Sequence, residues 1–167
     1  MDQPAFDISQ EGAERLLRGE ITLGQFMGLS REKLYEYAAV GYRMIQQGKL
    51  DEAKRIYSGL VATEPYDSVF HCHLAAVHHR LGELDQALHH YTESINFNIA
   101  NTDALAGRGA LHLTRGDLGP AVRDLKAVIE LDPQGRKAST LRARALLLSL
   151  KEAADKHQAA AVATANA

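Results

Sequence analysis

The chain has 167 residues, 46% apolar and 24% charged, with a formal net charge of −2, the balance of an ordinary globular domain with enough chain to bury a core. That charge gives no electrostatic case for nucleic acid, no Lys/Arg block suits a membrane surface, and a lone Cys72 excludes an intrachain disulfide framework. Asp2, Asp7, Glu11 and Glu14 stand where a signal peptide would need a basic start and an apolar run, and no stretch reaches the length of a membrane span, so a cytoplasmic protein without membrane insertion is expected.

Residues 1–9 carry little pattern and are expected to be disordered. Residues 10–33 hold Leu16, Leu17, Ile21, Leu23, Phe26 and Met27. Gly19 and Gly24 interrupt them, which predicts two short helices or a helix and a turn. This extension is too apolar for a solvated tail, so it either caps the helices C-terminal to it or pairs with a second subunit.

From there one pattern recurs every 34 residues: Gly48-Leu50-Ala53, Gly82-Leu84-Ala87 and Gly116-Leu118-Ala121. A period of about 34 with small residues in the turn and early in a second helix is the tetratricopeptide signature. The expectation is an all-α solenoid of three helical-hairpin repeats, at 34–67, 68–101 and 102–135. Ser30 suits the start of the first helix, and each turn glycine suits a left-handed stop. Asp51 and Glu52 complement the macrodipole at the next helix start. Tyr57, Leu60, Tyr91 and Leu125 are expected in the core, and Pro65 and Pro133 close their repeats. Arg108 falls at a position usually apolar, where it would snorkel or pair with an acid such as Asp124. Over 137–153 a final helix with Leu141, Ala145 and Leu148 at helical spacing is expected to cap the 34–153 domain, since a solenoid needs its last face covered. Residues 154–167 read as a flexible Ala-rich tail.

In each repeat the first helix should line the concave side, and steps of three and four place repeat positions 2, 5, 9 and 12 on one stripe. These are Tyr35, Ala38, Tyr42 and Ile45, then Val69, Cys72, Ala76 and His79, then Asp103, Ala106, Ala110 and Leu113. A mostly apolar or small stripe facing solvent marks a peptide-binding groove. The alternative is that the N-terminal segment covers it, or that part of it is inter-helix core. Two or three apolar anchors at roughly 1.5–3 kcal/mol each, less ordering costs, imply micromolar affinity.

Tyr66-Asp67-Ser68, Phe70, Leu74-Ala75-Ala76, Gly82, Leu84-Asp85, Ala87 and His90-Tyr91 together resemble the middle repeat of the class II chaperones of type III secretion. Leu34-Tyr35, Ala38, Tyr42, Gly48-Lys49 and the Thr22-Leu23 to Gly28-Leu29-Ser30 segment are similar to that family as well. The resemblance covers roughly residues 20–150. It implies a bacterial cytoplasmic chaperone that holds an extended apolar segment of a hydrophobic translocator protein in the concave groove, with Tyr42 and its stripe neighbours in contact. It also implies a homodimer through the N-terminal helices, for which Leu16, Leu17, Leu23 and Phe26 are candidates. Ala38 is small where relatives often place a ring, and Arg108-Gly109 replaces a small or apolar pair, so the pocket and its client would differ.

Other classes fit less well. Eight histidines invite a metal site, but none of His71, Cys72, His73, His78 and His79 has a His or Cys partner three or four residues away, and ligands would have to come from neighbouring helices. No phosphate loop, nucleophile elbow or paired carboxylates point to an enzyme, and Gly107-x-Gly109 lies inside a predicted helix. No catalytic residue, metal or cofactor is therefore expected. The competing reading is a tetratricopeptide adaptor that scaffolds a complex unrelated to secretion.

Overall fold

The computed structural model describes residues 9–165, which form helices joined by short turns. The chain divides into two compact units between Ile99 and Ala100. The expected disorder of residues 1–9 falls outside the described residues except at Ser9, which caps the first helix by accepting from the Gly12 amide at 3.0 Å.

The first unit contains α1 (Gln10–Leu17), α2 (Leu23–Phe26), α3 (Arg31–Gln46), α4 (Leu50–Thr63), α5 (Ser68–Arg80) and α6 (Leu84–Phe97). Short polar side chains start α2, α3 and α5: Thr22 forms a capping box with Gln25, Ser30 accepts from Lys33 and Asp67 from Val69 and Phe70. Gly48 and Gly82 end the first helix of each hairpin at φ of +76° and +79°, a conformation without steric penalty only for glycine. Gly24 is no breaker. It lies buried within α2, where a Cβ would stand 2.8 Å from Glu64 Oε1 and 2.9 Å from Thr63 Cγ2, so its lack of a side chain lets α2 rest on the end of α4. The Thr22 hydroxyl donates to the same Glu64 carboxylate at 2.6 Å.

The core of this unit gathers Leu34, Ala38, Ala53, Tyr57, Leu60, Phe70, Leu74 and Val77. Tyr57 is fully buried, and its hydroxyl donates to the Ala38 carbonyl at 2.8 Å, which satisfies the one polar atom on a large apolar side chain. Burial drives its phenol far above the ordinary range. Consecutive hairpins are tied by Lys54 to Glu83 at 2.7 Å and by the Arg80 guanidinium donating to the Ile45 carbonyl at 2.8 Å.

The second unit contains α7 (Thr102–Arg115), α8 (Leu118–Leu131) and α9 (Ala138–Ala165). Ala121, like Ala53 and Ala87, is fully buried where two helices of a hairpin touch. Arg108 pairs with Asp124 through two bonds, Nε to Oδ2 at 2.7 Å and Nη2 to Oδ1 at 2.9 Å, a bidentate geometry that makes a cation tolerable there. Asp132 accepts from the Lys137 amide and the Thr140 hydroxyl, which hold its carboxyl down to about 2 and pin the turn into α9.

One expectation needs correction in α9. Its covered face is Ser139, Thr140 and Ala143, while Leu141 and Leu148 are 57% and 58% exposed. The anchoring bonds of Thr140 to Asp132 and Ser139 to Thr102 rotate the helix so that the leucine stripe points outward. The helix runs on past residue 153 to Ala165. Alanine has the highest intrinsic helix propensity, so this run extends a helix already nucleated.

Candidate peptide-binding face

The first helices of the hairpins, α3 and α5 in one unit and α7 in the other, carry the twelve predicted stripe residues. Tyr42, Val69 and Asp103 are exposed, and Tyr35, Ile45, Ala76, His79, Ala110 and Leu113 are half-buried. Ala38, Cys72 and Ala106 are buried, at 6%, 8% and 0% exposure, so their side chains offer nothing to a ligand. Position 5 of each repeat is thus core: the Ala38 carbonyl is already occupied by Tyr57, and a small residue there lets packing close over it. The open part of the stripe is narrower than helical arithmetic implied.

Within the first unit the open residues form an aromatic edge. The Tyr42 ring lies 5.7 Å from His73, and the Tyr35 ring lies 5.2 Å from Phe70. The Tyr35 hydroxyl donates to Asp67 Oδ2 at 3.0 Å, and the Arg31 guanidinium sits 5.5 Å from its ring centroid. Burial is the main cause raising the Tyr35 phenol. Burial also lowers His79, which favours its neutral form and keeps that end of the stripe uncharged near neutral pH. Beside Tyr35 opens a cleft of about 240 Å³, walled by Tyr35, Tyr66 and Phe70 with Arg31, Glu64 and Asp67 at its rim. Arg31, Glu64 and Tyr66 were not among the expected contacts, because a stripe rule for helices says nothing about residues outside its register. The one available signal was the Tyr66-Asp67-Ser68 junction. On α7, Ala110 and Leu113 present a small apolar surface next to the exposed Asp103.

Among the described residues, α1 and α2 do not pack on α3 or α5. α2 packs on α1 and α4, and α1 packs on α2 alone among the described helices. Of the four dimer candidates, Leu17 is 87% exposed, Leu23 is at the edge of exposure, and Leu16 and Phe26 are half-buried. No group of three or more His, Cys, Asp or Glu among the described residues is placed to hold a metal ion. No described helix is long and apolar enough to cross a membrane.

No family model matches the chain. It is 26% identical over 145 residues to the low calcium response locus protein H of Yersinia pseudotuberculosis, covering 85% of this chain and 86% of that protein. Among solved structures it is similar to the Yersinia enterocolitica type III secretion chaperone SycD in complex with a peptide of the translocator YopD, with a TM-score of 0.65, 26% identity, and coverage of 73% of this chain and 95% of that one. It is also similar to the first tetratricopeptide domain of Spaghetti (RPAP3) bound to the HSP90 peptide SRMEEVD, with a TM-score of 0.63, 26% identity, and coverage of 73% and 96%. In sequence over most of its length, and in the fold of its helical hairpins, the chain is a relative of the tetratricopeptide class II chaperones of type III secretion translocators.

Proposed function

We propose that the chain is a bacterial cytoplasmic chaperone that binds an extended apolar segment of a type III translocator protein on the face of its first helices and keeps that client soluble. The observation that carries this reading is an open, uncharged stripe on α3 and α5, with Tyr42 and Val69 exposed, in a relative of SycD, which was solved with a translocator peptide. Such a face recognises chain by apolar anchors and shape, without catalysis. The adaptor reading takes its support from the likeness to Spaghetti, whose HSP90 peptide SRMEEVD bears three acids. An acidic peptide needs facing cations, and the twelve stripe positions hold no Lys or Arg and carry Asp103. The stripe's chemistry therefore favours the apolar client.

Co-expression with each apolar protein encoded beside this chain tests the reading. One of them is expected to shift from pellet to supernatant and to co-purify. Co-purification of an acidic-tailed partner alone, with every apolar neighbour left insoluble, contradicts it. The exposed Leu17, on a helix that packs on α2 alone among the described helices, supports a homodimer through the N-terminal helices. Leu17→Glu is expected to halve the mass measured by light scattering, and an unchanged mass would remove α1 from the dimer contact.

A further inference from the structure

We propose that the His71–His90 pair of the second hairpin, packed against the rings of His78 and His89, is a proton-sensitive latch that helps hold α5 on α6 at neutral pH and weakens progressively in acid. This goes beyond the client-binding reading and does not depend on it.

The geometry dictates where protons stand. His71 Nε2 lies 3.0 Å from the Pro65 carbonyl, which can only accept, so Nε2 carries the hydrogen. His71 Nδ1 is then a bare acceptor in the neutral ring. It faces His90 Nδ1 at 3.1 Å, so His90 must donate from Nδ1. One bond between two imidazoles thus joins α5 to α6, with a single allowed arrangement of tautomers. The His78 ring stacks on His90 at 5.4 Å and 12°, and His89 lies 4.9 Å away on α6. His71 and His78 are only 5% and 6% exposed. A proton added to His71 Nδ1 sets two N–H groups against each other. A proton added to His90 places a cation among three further imidazoles.

The surrounding charges relieve this only in part. Lys54 from α4 and His78 both bond Glu83 in the α5–α6 turn, and those bonds, Lys54 first, hold the Glu83 carboxyl below its usual range, so it stays ionised as the imidazoles titrate. Asp67 at the start of α5 and Glu93 on α6 favour a charged His71, as does the Pro65 carbonyl, yet burial outweighs them and its pKa is lowered. His90 is pushed down to about 4, by burial first and then by His71, His89 and His78. An unfolded histidine titrates near 6.5. The folded hairpin therefore refuses protons that the unfolded chain accepts. Its stability is complete above about pH 6.5 and falls as pH drops toward about 4, by up to tenfold in the folding constant per pH unit for each such group.

The test is urea unfolding of the full chain between pH 7.5 and 4.5, together with imidazole titration by nitrogen-detected NMR. The wild type is expected to lose stability steeply below pH 6.5, with the His90 ring still neutral at pH 5. His90→Asn, which keeps a donor near the Nδ1 position but does not titrate, is expected to flatten the acid slope by about tenfold per pH unit, while His157→Gln on α9 leaves it unchanged. Parallel slopes for wild type and His90→Asn overturn the latch. Should that variant fail to fold, the wild-type titration decides: a His90 ring that protonates above pH 6 overturns it.

Discussion

The α5–α6 and α7–α8 hairpins are built on one frame, and they differ in what fills it. Both turn on a glycine and both bury an alanine early in the second helix. At the equivalent place along that second helix, one carries His90 and the other Asp124, where the α3–α4 hairpin has Ile56. Each polar choice comes with its own partner from the facing helix: His71 for His90, Arg108 for Asp124. A neutral, proton-sensitive bond crosses one hairpin beside the Ser68–Ser94 hydroxyl bonds, and a charged, bidentate pair crosses the other. A repeat therefore tolerates a polar group in its interior when a matched group across the hairpin satisfies it.

The ion pair gives the largest expected effect. Asp124→Ala leaves Arg108, whose side chain is 21% exposed, without its carboxylate, and a loss of about 3 kcal/mol in urea unfolding is expected. Replacing both members, Arg108→Val with Asp124→Ile, restores the Val40 and Ile56 pattern of the first hairpin and should bring stability back to within about 1 kcal/mol of wild type. A double variant as weak as the single one would mean the site needs charge. The glycines give a smaller effect. A Cβ on Gly109 would stand 2.9 Å from Leu125 Cδ2 and Cγ, whereas the second hairpin accommodates the buried Ala75 at the matched position. Gly109→Ala should destabilise by about 1 kcal/mol, overpacking outweighing the gain in helix propensity, and Ala75→Gly by a similar amount through the loss of a packed methyl. A stabilising Gly109→Ala would show that Leu125 moves aside freely.

The helical-hairpin fold was legible because its signal is distributed. A 34-residue period, turn glycines and buried alanines each repeat three times, so no single departure obscures them. Arg108 with Asp124 could be anticipated because a cation at a position usually apolar needs an acid from the other helix of its hairpin. The stripe was only partly legible: spacing places twelve residues on one face of a helix, but which of them stay open depends on how closely the neighbouring helix approaches. Ala38, Cys72 and Ala106 lost their exposure that way. The face of α9 was misread because its rotation is fixed by polar bonds of Ser139 and Thr140, and a search for apolar spacing passes over those residues. The His71–His90 contact joins residues nineteen apart on different helices, beyond the reach of any single-helix spacing rule.

The most direct test of the account is client binding by Tyr42→Asp and Val69→Glu, two exposed positions on α3 and α5, measured by calorimetry against an extended apolar segment of the translocator recovered by co-expression. Micromolar binding by the wild type is expected to fall below detection in both variants, with helicity and melting temperature unchanged. Full-strength binding by both variants would contradict the account and place the client elsewhere on the molecule.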